Sequence, residues 1–236
     1  MDNNSNQIVS TGISGLDALI GGGFPRRNQA LIAGGPGTGK TLMAFEILCR
    51  CAKAGMHCAY VSLEENTDDI IRNARIAFPG FGIEDIIKNR MLVVGGDSAA
   101  MKMITNVQEE SSYSMGNLIS EVEAIIKANN ADVVAFDSVS FLKLMLGTKS
   151  LLYNRTMSSI MATFRRMNTM SVSILEIPYY SPEKVKFAQE LVLFDTVLML
   201  FKDKGARKLQ VAKHRGAAHS DALSTYSISP EGVKFG

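Results

Sequence analysis

Short apolar runs alternate with amphipathic stretches through most of the chain. Asn28–Ala33, Cys58–Leu63, Met91–Val94 and Asp132–Phe136 are mostly apolar, as strands covered on both faces are, and Ser171–Ile177 reads as another strand. Between them, Lys40–Ala54, Thr67–Ala77, Met115–Asn129 and Leu151–Thr169 carry apolar residues at helical spacing. In Met115–Asn129 the stripe is Leu118, Ile119, Val122, Ile125 and Ile126. Gly55 stops the first helix, and Thr67, Asp68 and Asp69 suit the start of the second. Strands separated by helices of this length predict right-handed crossovers and a mostly parallel sheet, an α/β fold.

The pattern changes near the end. Thr196–Lys202, Arg207–His214 and Thr225–Ser229 read as strands separated by turn residues, Lys204-Gly205 among them, with Pro230-Glu231-Gly232 following the last. They predict C-terminal antiparallel strands that extend the sheet. Gly95–Ser114 is polar with weak periodicity and reads as a long surface loop, with or without a short helix. There is no repeat and no long linker, so residues 1–236 are expected to form a single domain, with residues 1–9 flexible.

Composition narrows the classes. With 46% hydrophobic and 20% charged residues, the 236-residue chain can bury a sizeable core. A net charge of +2 is no basic tail, and no Trp with 7% aromatics leaves little for a base-stacking surface. The 13 methionines read as core filler. Met1–Asn6 is polar, and the apolar stretch Glu190–Lys202 is broken by Asp195 and too short to span a bilayer. A cytoplasmic protein with reduced thiols is expected. Cys49, Cys51, His57 and Cys58 suggest a zinc cluster. However, Cys49 and Cys51 fall on opposing sides of one helix, so packed free thiols are expected instead.

Gly34-Gly35-Pro36-Gly37-Thr38-Gly39-Lys40-Thr41 fits G-x-x-x-x-G-K-[ST] after a strand and before a helix. Small residues let backbone N–H groups curl around a phosphate, and the helix N-terminus adds partial positive charge. Gly35 to Lys40 would cradle the phosphates, with Pro36, Gly37, Thr38 and Gly39 forming the turn and Lys40 reaching the β- and γ-oxygens. The Thr41 hydroxyl would ligate Mg²⁺. Asp132–Asp137 is a buried run that leaves Asp137 at a strand's carboxyl end, where it would hold Mg²⁺ through water. Glu64-Glu65 follow another apolar strand and are candidates to activate water, with Glu64 as base and Glu65 as support, an order that spacing alone does not decide.

A last cluster, Arg207 through His219, is basic. In a regular strand Lys213 and Arg215 share a face with Arg207. Such a row suits a triphosphate, and it equally suits a charged, solvated edge strand.

Together these residues resemble the KaiC branch of the RecA-type ATPases. The opening Ser10-Thr11-Gly12-Ile13-Ser14-Gly15-Leu16-Asp17 and Gly21-Gly22-Gly23-Phe24-Pro25, the phosphate loop, Glu64-Glu65, Asp137-Ser138 and Lys213-x-Arg215-Gly216-x-x-His219 match in order. The resemblance implies ATP with Mg²⁺ bound between neighbouring copies of a ring homo-oligomer, usually a hexamer. It further implies that Lys213 and Arg215 reach a neighbour's γ-phosphate, with Arg207 and His219 near its nucleotide. It departs at Arg27-Asn28, where the family usually has Gly, so the turn there is expected to differ. The two-lobed circadian members phosphorylate their second lobe; one lobe cannot reproduce that, so a clock role and autophosphorylation are not carried over.

The leading reading is a slow ATPase acting as an assembly or signalling switch on an unidentified protein partner. A second is an ATP-binding interaction module with little turnover, similar to the archaellum-motor relative. A third is a DNA-binding ATPase like the recombinase relatives, using loops Ser138–Ser150, with Lys143 and Lys149, and Pro178–Phe187, with Tyr179, Tyr180, Lys184 and Lys186. Near-neutral charge disfavours nucleic acid. No membrane role is expected.

Overall fold

The computed structural model describes residues 7–89, 91–95, 111–147, 151–178 and 190–236. The strands are β1 (Ile8–Val9), β2 (Phe24–Pro25), β3 (Gln29–Gly34), β4 (Cys58–Ser62), β5 (Leu92–Gly95), β6 (Val133–Asp137), β7 (Met170–Glu176), β8 (Thr196–Asp203), β9 (Ala206–His214), β10 (Ser224–Ser229) and β11 (Gly232–Phe235). The helices are α1 (Ser14–Leu19), α2 (Lys40–Lys53), α3 (Thr67–Ala77), α4 (Ile83–Lys88), α5 (Ser111–Asn129), α6 (Val139–Leu146), α7 (Leu151–Arg166) and α8 (Glu190–Leu193).

The apolar runs are joined by helical crossovers, which make their pairing parallel and lay helices over both faces. The nine-stranded sheet has the order β11-β10-β9-β8-β3-β7-β6-β4-β5. The pairs from β8 through β3, β7, β6 and β4 to β5 are parallel, and β9, β10 and β11 add antiparallel. On one face, Met43, Phe45, Ile47 and Leu48 of α2 pack on Ile32, Tyr60, Ile174 and Leu198. On the other, Leu118 and Val122 of α5 and Met157, Ile160 and Phe164 of α7 pack on Leu31, Val61, Val134 and Phe136. The two layers fix the carboxyl ends of β3, β7, β6 and β4 side by side, at the rim where parallel sheets bind ligands.

Several expectations change. Ile8 and Val9 are not a flexible tail: they pair with Pro25 and Phe24, and Val9 is buried. The helix expected to reach Thr169 ends at Arg166, where Asn168 turns left-handed (φ 58) and the Thr169 hydroxyl donates to the Ala131 carbonyl at 3.1 Å. Ser138–Ser150 is not one loop, because residues 139–146 are helical. The Ser138 hydroxyl accepts from the Phe141 N–H at 3.2 Å as an N-cap, and Val139 and Leu142 are buried. Arg27 takes the left-handed turn itself (φ 67), with the Asn28 N–H donating to the Pro25 carbonyl at 3.0 Å, so this turn does not need its glycine.

A β-bulge changes the basic strand. Val197 pairs with Lys213 but Leu198 with Val211, leaving Ala212 extra. Leu209 and Val211 face the α2 side, whereas Lys213 follows Val197 to the opposite side. The shared face expected for Arg207 and Lys213 is therefore corrected: one inserted residue reverses the alternation.

The thiols of Cys49, Cys51 and Cys58 are buried, and burial pushes Cys49 and Cys51 up to about 12. Among the described residues no three His, Cys, Asp or Glu side chains gather as a metal site, and no helix is long and apolar enough to cross a membrane.

Candidate active site

β3 ends at Gly34 between β7 and β8, and the chain turns through Gly35–Gly39 into α2. Gly37 (φ 70) and Gly39 (φ 95) are left-handed, which lets consecutive N–H groups converge. The carbonyls of the loop are met by donors around it. Gly34 O accepts from the Ile177 N–H at 3.1 Å, and Gly35 O from the Thr38 hydroxyl at 2.8 Å and Lys40 Nζ at 3.0 Å. Thr38 O accepts from the Tyr226 hydroxyl at 2.6 Å. Lys40 is 8% exposed and lies 3.5 Å from Glu176; burial lowers its pKa, and the glutamate opposes that.

The loop borders a cleft of ≈ 350 Å³ lined also by Glu64, Glu65, Asp137, Ser138, Ser140 and Glu176. Asp137 closes β6, directly beside Ser62 of β4. The Thr41 hydroxyl donates to its Oδ2 at 3.3 Å, and the buried Tyr60 hydroxyl donates to the same atom. Burial pushes the Asp137 carboxyl up to about 6; the Tyr60 hydrogen bond opposes this and the charges of Glu64 and Glu65 add to it. A hydroxyl and a carboxylate this close form a hard oxygen donor pair of the kind that would hold Mg²⁺.

Two hydroxyls set the paired glutamates. Ser62 Oγ accepts from the N–H groups of Glu64 at 3.3 Å and Glu65 at 3.0 Å, a turn that projects both side chains past the strand end. The carboxylates then diverge. Glu64 accepts from the Ser138 hydroxyl, toward Asp137 and Lys40, and Glu65 accepts from Asn73 Nδ2 on α3 at 3.2 Å. The two acids thus occupy different surroundings, with Glu64 the nearer to the loop lysine in electrostatic effect.

The four basic candidates separate. Arg207 lies at the start of β9, opposite Lys202 and Tyr226, on the rim that carries its own phosphate loop. Lys213 lies at the far end, about 20 Å away at the usual strand rise. Its ammonium donates to the carbonyls of Leu191 (3.2 Å), Val192 (3.4 Å) and Phe194, closing the end of α8. Arg215 stands 3.7 Å from Asp195, and His219 Nε2 stands 3.4 Å from Asp221. Lys143 falls on α6, while Lys149, Tyr179, Tyr180, Lys184 and Lys186 lie outside the described residues.

Sequence reasoning missed Tyr60, Tyr226, Ser138 as a partner of Glu64, and Glu176. Glu176 ends its strand as Asp137 does, so the strand-end position was a usable signal. The tyrosines act across chain separations that no local spacing encodes.

A family profile described as "ATPase: KaiC" matches residues 9–236. A UPF0273 protein of Aeropyrum pernix is 29% identical over 239 residues, covering 95% of this chain and 92% of that protein. The circadian clock oscillator protein KaiC of a Picosynechococcus species is 26% identical over 97% of this chain, which spans 44% of the relative's length. The crystal structure of a KaiC-like protein from Pyrococcus horikoshii superposes with a TM-score of 0.81 at 24% identity, covering 98% of this chain and 99% of that one, a likeness of fold.

Proposed function

The chain belongs to the KaiC ATPase family, and from that premise we propose that it binds ATP with Mg²⁺ and hydrolyses it slowly, as a ring-forming assembly or signalling switch. The observation that carries this reading is the convergence of Lys40, Thr41, Asp137, Glu64 and Glu65 on one cleft from three separate strand ends. The loop N–H groups and Lys40 bind the triphosphate, and Glu176, now 3.5 Å from Lys40, gives way to it. Thr41 and Asp137 would hold the metal, which when bound would neutralise phosphate charge. Glu64, fixed by Ser138, orients a water and takes its proton, and Glu65 supports the local field.

Lys213 and Arg215 sit at the amino ends of the parallel strands, away from the chain's own loop. Their distance from that cleft supports action on a neighbouring copy, as the family resemblance implies. On that reading assembly moves Lys213 from the α8 carbonyls to a neighbour's phosphate, which makes turnover depend on the ring. Arg207, on the loop's own rim, is assigned to the nucleotide of its own copy.

Mass measured with and without ATP, coupled to phosphate release, tests both parts. ATP should raise the mass toward a closed ring, probed as a hexamer, and phosphate should appear only from the assembled species. The Glu64→Ala, Glu65→Ala double variant should retain ATP binding and lose at least about 10²-fold in turnover. Unchanged turnover in that variant removes the assignment.

A further inference from the structure

A phosphate loop works only if its peptide groups are held with N–H inward and C=O outward, and each outward carbonyl then needs its own donor. The donor for Thr38 O comes from outside the loop. It is the hydroxyl of Tyr226 on β10, 188 positions along the chain, at 2.6 Å and in a buried setting. Tyr226 is 3% exposed, and burial raises its pKa far above the physiological range, so the hydroxyl remains a donor.

The peptide concerned joins Thr38 to Gly39. In a trans peptide the carbonyl and the N–H point in opposite directions. Fixing Thr38 O toward β10 therefore aims the Gly39 N–H the other way, and Gly39 lines the phosphate cleft. Gly39 sits at φ 95, and a glycine's freedom to rotate makes an external hold on this peptide consequential. The hairpin supplying the hold is itself anchored to the helix after the loop. The buried carboxylate of Glu46 on α2 accepts from the Val233 N–H of β11 at 2.7 Å.

We propose that Tyr226 is a positioning residue for phosphate binding, its hydroxyl locking the Thr38–Gly39 peptide so that the Gly39 N–H faces the phosphate. This rests on the nucleotide reading above and extends it: the C-terminal hairpin, remote in sequence, becomes part of the phosphate cradle. Without the hydroxyl the Thr38 carbonyl loses a buried donor and the peptide is free to turn.

The test is Tyr226→Phe, which keeps the ring and removes only the hydroxyl. Binding of ADP and of inorganic pyrophosphate, each with Mg²⁺, is measured by titration calorimetry beside thermal melting without ligand. Both ligands should bind roughly 5-fold more weakly, the size expected of one hydrogen bond. Ile160→Val, fully buried on the opposite face of the sheet, serves as a control for general loosening and should leave both affinities unchanged. Unchanged binding by Tyr226→Phe overturns the proposal. So does a loss for ADP alone, which would place Tyr226 at the base or sugar, and so does an equal loss in the Ile160→Val control. If the unsubstituted protein binds neither ligand, the nucleotide reading itself falls and takes this proposal with it.

Discussion

At Arg27 the backbone holds φ 67 with an exposed side chain, a conformation that costs an L-residue about 1–2 kcal/mol. Glycine adopts it without strain but gains freedom when unfolded, which offsets part of the benefit. Arg27→Gly should therefore stabilise the fold by about 0.5 kcal/mol, read as a higher urea midpoint at unchanged slope. A lower midpoint would mean that the arginine contributes something its exposure does not suggest. The same scale explains why the order of Glu64 and Glu65 could not be read from their spacing. Two adjacent acids look alike in sequence. Their difference comes from Ser138, 74 positions away, and Asn73 on α3, which take one carboxylate each. By contrast, the phosphate-loop pattern was legible because its residues are consecutive in the chain, and Gly37 and Gly39 take the left-handed turns it needs; the hold of Tyr226 on Thr38 O was not.

Elements were legible where burial was two-sided. β3, β4 and β6 read as mostly apolar runs, and β7 is buried along its length although Ser171 and Ser173 interrupt its apolar residues, because helices lie above and below them and no surface pattern competes. The short helices α1 and α4 carry too few turns to show a helical period, and β11 has neither a continuous apolar run nor enough alternations to stand out. The bulge at Ala212 was invisible because a single inserted residue leaves the composition of β9 unchanged while reversing its faces. The β10–β11 hairpin depends on a contact that sequence does not show, the buried Glu46. Its carboxylate accepts from the Val233 N–H and from Arg50 Nε at 2.7 Å each, and burial still outweighs both, raising its pKa. A raised folded-state pKa means that the folded protein holds this proton more tightly than the unfolded chain. The stability it contributes is complete below the unfolded value of 4.5 and is lost as pH rises through the folded value. Urea midpoints of the unsubstituted protein and Glu46→Gln, compared from pH 4.5 upward, should therefore show the unsubstituted protein losing ground relative to the variant. The reverse slope would show that the ionised pair with Arg50 governs instead.

Over the whole molecule the sheet has two chemically different ends. The carboxyl ends carry the phosphate loop and the acids Glu64, Glu65, Asp137 and Glu176; the amino ends carry Lys213, Arg215 and Arg165 around Asp195. The cleft acids and the amino-end cations suit the proposed head-to-tail contact, in which one copy's amino end would meet the next copy's cleft and repetition would close a ring. On that proposal the two halves of each active site would lie on different chains. A copy with Lys213→Ala and Arg215→Ala keeps a sound cleft but cannot complete its neighbour's, and a copy with Glu64→Ala and Glu65→Ala has the opposite defect. Each protein alone should hydrolyse ATP poorly. Mixed in equal amounts and allowed to exchange, they should regain about a quarter of normal turnover, since half the clefts are sound and half of those face an intact neighbour. Mass measurement of the mixture establishes that the rings are hybrid. Hybrid rings whose phosphate release stays at the average of the two parents would mean that the cations do not act across the interface, and Lys213 would then act within its own copy, where its ammonium closes α8.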